Sequence, residues 1–291
     1  MLNAVTEYFA TIPSSHRALI LAGGIAFFWI WESAAPLFRF EYRKWSHALV
    51  NIFFTVTTIV VNFGLAFILL GASDWAVTNG VGLLFLLPDG ALVLRLVAGL
   101  LVLDLISAWL AHWVEHKTPV LWRFHLIHHS DVHIDTTSAN RHHPGESVVR
   151  FVFTTLGVLV VGAPMWMVFL YQAASVVLSQ FNHANITLPA ALDRAISWVI
   201  VSPDMHKVHH HYVLPYTDSN YGNVFSVWDR LFGTFMSLER ARLTYGIDTH
   251  MDPREHASVG ALLTMPFRPY RKPVSAPEIA PEAERQRPEA R

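Results

Sequence analysis

The chain has 291 residues, 53% of them hydrophobic and 15% charged, a balance too apolar for a soluble domain of this length and typical of a membrane protein. Its 21 Lys and Arg against 22 Asp and Glu leave a formal charge of −1, which excludes the basic excess of a nucleic-acid binder. No cysteine occurs, so disulfides, zinc–thiolate sites, iron–sulfur clusters and cysteine nucleophiles are excluded, and any metal must sit on nitrogen or oxygen ligands.

A helix needs about 20 mostly apolar residues to span a bilayer. The first such segment runs from about Ala18 to Phe38. It lacks the basic start, short apolar core and small-residue cleavage site of a secretory signal, so it reads as a retained anchor. A loop with Arg39, Arg43 and Lys44 follows, then a second span from about His47 to Leu70. The next loop, Gly71 to Ala91, holds Asp74 and Asp89 but no Lys or Arg, and a third span covers about Leu92 to Trp113. Short loops rich in Lys and Arg stay in the cytoplasm, so the loop after the first span is assigned to that side. Beyond a polar, histidine-rich stretch, Val148 to Phe181 is apolar and broken at Gly162-Ala163-Pro164, where Pro164 reads as the turn between two helices. This gives five spans, or four if the hairpin is re-entrant. The residues after His112, the loop around Arg141 and everything beyond Phe181 then face the cytoplasm, and only Arg17 and Arg95 fall at the other face.

After the last span, about Leu188 to Val201 and Val224 to Leu238 mix apolar and charged residues as interfacial helices that hug the membrane do. From about Pro266 the chain is rich in Pro, Glu and Arg and reads as a disordered tail. The expected fold is all-α: a polytopic transmembrane helical bundle of four to five spans, topped by a cytoplasmic, histidine-rich helical cap. Residues 1–91 supply N-terminal transmembrane helices, 92–245 the chemistry and 246–291 a C-terminal segment with the tail.

Thirteen of the 17 histidines lie between His112 and His211. Three groups share a helical spacing: His112 and His116; His125, His128 and His129; His206, His209 and His210. Residues at i, i+3 and i+4 lie on one helix face, so each group can present two or three imidazoles to a common point. His183, just past the last span, and His143, in the segment RHHPGE, are further contributors. One HxxxH pair is weak evidence, and a lone buried histidine is usually hydrogen-bonded packing. Three groups within one window of about 100 residues differ, because neutral imidazoles beside a bilayer are costly to desolvate without partners and a metal supplies them. Imidazole ligation suits Fe, Zn, Cu or Ni, so the ligands alone do not choose the metal. Zinc would point to hydrolysis and iron to O2 activation.

In order, HWVEH, LWRFHLIHHSD and SPDMHKVHHHY followed by TDSNYGNVFSVWDRLFGTF resemble the fatty acid hydroxylase/sterol desaturase superfamily of integral-membrane enzymes, over about Asp104 to Phe235. The resemblance implies a non-haem di-iron centre that uses O2 as cosubstrate and two electrons to attack an unactivated C–H bond of a lipid, fatty acyl or sterol-like. By position, His112, His116, His125, His128, His129, His206, His209 and His210 match the three histidine boxes, His183 the histidine after the last span, and His143 an RxHPxE-like segment. Residues 92–245 become the di-iron catalytic domain, and no separate acid, base or nucleophile is assigned. The first box departs from many members in lacking an Arg directly after its first histidine, and His142 and His211 compete with their neighbours as ligands.

His143-Pro144-Gly145-Glu146 superficially resembles a haem-domain HPGG, but it lacks the flanking length and the second axial histidine, so haem is excluded. The chain has no GxGxxG fingerprint, and electrons must come from a separate cytoplasmic donor: a small haem, ferredoxin-like or flavin reductase protein. Asp104, a carboxylate in an apolar helix, reads either as support for a ligand histidine or as an interhelical hydrogen bond. Glu115 and Asp131 read as solvated, or as groups that orient an imidazole. Asn220-Tyr221-Gly222 and Trp228-Asp229-Arg230 read as a turn and a packed cap over the site. Within enzymes the alternatives are a lipid desaturase or an ether-lipid or carotenoid oxygenase. A metal transporter would place ionisable residues mid-span, whereas these histidines gather at one face.

Overall fold

The computed structural model describes residues 2–274, and among them every regular element is a helix. A short α1 (Leu2–Ala10) precedes α2 (Ser14–Ala34) and the 35-residue α3 (Lys44–Thr78). At the usual helical rise α3 is about 52 Å long, well beyond a hydrocarbon core of about 30 Å. It therefore continues past the expected end at Leu70. Then come α4 (Leu92–Asp104), a π-type turn (Leu105–Leu110) and α5 (Ala111–Lys117), one continuous rod. Pro119 lacks the N–H that α5 would need to continue. It starts α6 (Pro119–His129) after a corner at Thr118, folding the first histidine box back over the second.

The expected break between helices is present. α7 (Pro144–Val161) ends on left-handed Gly162, and Pro164 caps α8 (Met165–His183). Gly82 (φ 118°) nests against this turn: a Cβ there would stand 2.3 Å from the Gly162 backbone nitrogen, and one on Gly162 (φ 68°) would stand 2.4 Å from the Val81 carbonyl. Gly82→Ala is expected to cost about 1–3 kcal/mol, read as a lower unfolding midpoint in detergent. An unchanged midpoint would show that the two turns are not locked together.

Among the described residues, four helical segments are long and apolar enough to cross a membrane: Ser14–Ala34, Lys44–Leu86, Leu92–Lys117 and Pro144–Val161. On the outer side of α3, Phe63 and Phe67 are about four-fifths exposed, as lipid-facing side chains are. Inside the bundle, Leu69, Leu103, Phe151, Val158, Met167, Val168 and Tyr171 form one core that joins α3, α4, α7 and α8. A second core, with Phe54, Trp122, Ile127, Ile247, Leu262 and Met265, fixes α6 between α3 and the C-terminal segment.

The cap comprises α9 (Ala190–Ile196), α10 (Pro203–His209), α11 (Val227–Leu231), α12 (Pro253–His256) and α13 (Val259–Thr264). The two expected interfacial helices are thus shorter than the sequence suggested, and turns replace the rest. The first part of the expected tail is instead packed. Residues 266–274 pack on the cap: Arg268 O accepts from Arg123, the Val274 N–H donates to Asp248, and Val274 O accepts from the Leu214 N–H. The remainder of that segment, 275–291, lies outside the described residues.

Candidate metal centre

The corner at Thr118 and the start of α10 at Ser202-Pro203, where the Ser202 hydroxyl accepts from the Met205 N–H, bring the three histidine boxes together. They form two adjoining groups. His112 and His116 from α5, His125 and His129 from α6 and His209 from α10 make one; His128, His183, His206 and His210 make the other. Within each, one ring nitrogen per residue lies within 4.8 Å of all the others. The groups share a wall, because the His129 ring lies 4.5 Å from that of His209 and 4.8 Å from that of His210.

The facing atoms are Nε2. His125 Nε2 is 3.0 Å from His112 Nε2 and 3.1 Å from His129 Nε2. His183 Nε2 lies 3.1 Å from those of His128 and His206 and 3.2 Å from that of His210. The outer nitrogens of five rings are held from behind: Nδ1–H of His112 donates to Tyr221 O, that of His209 to Ser219 O and that of His183 to Ser179 O, while His125 donates to Glu146 and His116 to Asp218. Each bond leaves an Nε2 lone pair directed inward, the tautomer a metal ligand needs. Burial, then the neighbouring imidazoles, pushes His128, His129, His206 and His210 well below the ordinary histidine range, so they too are neutral.

Imidazoles alone cannot satisfy this arrangement. A neutral ring has one N–H, and His183 spends its own on Ser179 O, yet His183, His206 and His210 bring three Nε2 atoms within 3.1–3.2 Å of one another. His116 and His209 keep Nε2 buried with no hydrogen-bond partner. A cation held by each group would accept its inward lone pairs. The residues therefore fit two metals on an all-nitrogen donor set, iron among those such a set suits.

Nine of the ten expected ligands are brought together, and His143 is not. Pro144 opens α7, so the preceding residue takes the capping position: His143 Nδ1 accepts the Gly145 N–H and Nε2 faces Leu263 O. Its neighbour His142 faces the centre, stacking on His128 at 4.8 Å and donating to Glu146. His211 turns away and accepts from the Thr244 N–H.

Glu115 and Asp131 are buried, not solvated. Arg150 pairs with Glu115 at 2.8 Å and with Glu146 at 2.9 Å, so one guanidinium binds the two carboxylates behind His125. The sequence reading passed over Glu146 and Arg150. Their signal was an i, i+4 ladder of His142, Glu146 and Arg150 along an otherwise apolar helix. Asp104 touches no ligand histidine: it accepts from Tyr171, Trp228 and the Val224 and Phe225 N–H groups, which makes it the interhelical bond. Asp229 does close the cap, accepting from Trp109, Thr234 and the N–H groups of Tyr221 and Gly222, and so holds Tyr221 O against His112.

Residues 96–234 match the family model described as Fatty acid hydroxylase. Among curated proteins, ornithine lipid hydroxylase of Rhizobium tropici is 26% identical over 150 residues, 52% of this chain and 44% of that protein. Alkylglycerol monooxygenase of Xenopus tropicalis is 28% identical over 152 residues, 48% of this chain and 30% of that protein. A cholesterol 25-hydroxylase-like protein of Danio rerio is 28% identical over 124 residues, 42% of this chain and 48% of that protein. The chain thus spans less than half the length of these relatives. No solved structure matches it. All nine clustered histidines fall inside the matched stretch, so the part of the chain that is similar to the fatty acid hydroxylases is the part that builds the two groups.

Proposed function

We propose that the protein is a membrane-bound non-haem di-iron oxygenase that hydroxylates an unactivated C–H bond of a lipid, with O2 and electrons from a separate cytoplasmic donor. The observation that carries this reading is the pair of adjoining all-histidine groups at one end of a bundle of apolar helices. His112, His116, His125, His129 and His209 would hold one iron, and His128, His183, His206 and His210 the other. Irons bound there would supply O2 activation. The protein's part is geometric: Tyr221 O, Ser219 O, Ser179 O, Glu146 and Asp218 fix the rings, and burial keeps water from them. The names of the three relatives refer to different lipids, so the shape of the route to the metals, not intrinsic reactivity, selects the carbon.

We place the centre at the cytoplasmic face. Lys44, in the basic segment expected there, pairs with Glu32, and Tyr42 bonds Asp135 on the metal side of the bundle. α8 starts beside the far end of α7 and returns to deliver His183, so we count it as a fifth crossing, shielded by α1, α2 and α4. Residues 92–245 form the catalytic unit, and 1–91 bury α8 and brace the second box.

Elemental analysis of the purified protein and lipid mass spectrometry of cells with and without it test the proposal. The expected result is about two irons per chain and a lipid heavier by about 16 Da, one inserted oxygen. A product about 2 Da lighter would make it a desaturase instead. Firmly held zinc with an unchanged lipidome, under aeration and reductant supply and after metal exchange in purification is excluded, would overturn the oxygenase reading.

A further inference from the structure

The cap carries an apolar surface that the metal chemistry does not use. Trp198, Val199 and Leu231 are 66, 64 and 66% exposed, and Leu192, Phe232 and Phe235 lie partly open beside them. Isolated exposed side chains of this kind are ordinary, but a contiguous set marks a contact surface. The backbone makes this one piece. The Val201 N–H donates to Val224 O and the Ser226 N–H to Val199 O, and Ile200 bridges Phe225, so the segments 190–201 and 224–235 lie edge to edge. Arg230 ties the two together, its guanidinium 4.6 Å from the Trp198 ring centre and 4.0 Å from that of Phe235.

The height of this surface follows from α4 and α5. Trp109 lies 17 residues after Leu92, about 26 Å along the rod, near the metal-side edge of a hydrocarbon core about 30 Å thick. The Phe232 ring sits 4.4 Å from the Trp109 ring. The apolar surface therefore joins the lipid-facing wall of the bundle at the level of the headgroups. A guanidinium among aromatic rings at that level suits lipid phosphates, with its aliphatic stem in the apolar zone and its charge among anions.

We propose that segments 190–201 and 224–235 form a single ledge seated in the metal-side leaflet, with Leu231, Val199 and Trp198 below the phosphates and Arg230 among them. The occupant is the bilayer itself. The ledge connects with the metal centre through one short helix: in α11, Leu231 points outward while Asp229 points inward to hold Tyr221 O against His112. The inference rests on the spanning helices and not on the identity of the metal, so either can fail alone.

The absence of cysteine makes the test clean, since any introduced cysteine is the single labelling site. Spin labels are placed at Val199→Cys and Leu231→Cys in the full chain, in nanodiscs of phosphatidylcholine and phosphatidylglycerol, and their collisions with O2 and with a water-soluble nickel chelate are compared. Phe63→Cys on α3 serves as the lipid reference, and Arg254→Cys, on a charged and exposed turn, as the water reference. The expected depth is about 5–10 Å below the phosphates for both labels. In the Arg230→Gln background the Leu231 label becomes shallower. Two results would overturn the ledge: labels that meet the nickel chelate as often as the Arg254 reference, or labels shielded from both reagents, which would mean that protein covers the surface.

Discussion

His206→Ala protein, purified in detergent, is expected to hold about one iron fewer per chain than wild type and to lose at least ~100-fold in turnover, since even outer-shell partners of a ligand histidine are worth about 10–100-fold. His206 belongs to the smaller group, whose other members are His128, His183 and His210, so its removal leaves three imidazoles there. His116→Ala removes one of five, and the structure predicts a smaller loss of metal for it. The decisive contrast is His143→Ala. Its ring caps α7, so the substitution should cost about 1 kcal/mol of stability and leave both irons in place. Parallel iron analysis of the three variants checks this. Loss of metal from His143→Ala with full retention in His206→Ala would overturn the assignment of the two groups.

The boxes were legible because their spacing is local. Their partition was not. A histidine box at i, i+3 and i+4 suggests one shared point, yet His125 and His129 enter one group while His128 enters the other. The third box divides the same way, with His206 and His210 on one side and His209 on the other. The reason is helical geometry: residues four apart differ by about 40° around the axis, while the residue three on is displaced about 60° in the opposite sense. Two helices with this pattern, packed face to face, sort their rings by the i, i+4 pairs, so that each box contributes to both groups.

Other misreadings trace to contacts distant in sequence. Composition placed Pro266 at the start of a tail, but the segment as far as Val274 is held by Arg123, Asp248 and Leu214, none of them near in sequence. The resemblance picks out His143, the histidine that fits the RxHPxE-like segment, over its neighbour His142. Only the position of α7 shows that the residue before Pro144 must cap it, which turns His143 toward Gly145 and leaves His142 to face Glu146. Asp131, following a histidine pair and a serine, reads as a solvated loop residue. The residues that bury it, His47 and Arg141, arrive from α3 and from the turn before α7.

Asp131→Ala is the substitution with the largest expected effect on stability. Its carboxylate lies 2.9 Å from His47 Nε2, 3.6 Å from Arg141 Nη1 and 2.7 Å from the Ser138 hydroxyl. Arg141 is itself fully buried, donating to Asn51 and to the carbonyls of Ile127 and His256. Removing the carboxylate leaves a guanidinium in the core without its counter-ion, a change that costs about 3–5 kcal/mol in comparable buried pairs. The same site fixes a pH dependence. Burial alone would raise the Asp131 pKa, but His47 and Arg141 overcome it and hold the carboxyl well below the usual range. A group depressed in the folded state adds stability that is complete above its unfolded pKa of about 3.9 and fades as the pH falls toward the folded value. His47 faces the same carboxylate; burial opposes its charge, but Asp131 with Asp135 pushes its pKa up to about 10. The gap in unfolding midpoint between wild type and Asp131→Ala should therefore be widest near pH 5, shrink as the pH rises past the unfolded histidine value of about 6.5, and narrow again in stronger acid. Midpoints measured in detergent across that range decide it: a variant that unfolds with the wild type at pH 7 would mean that the cluster binding α3 to the second histidine box is not what holds the box in place.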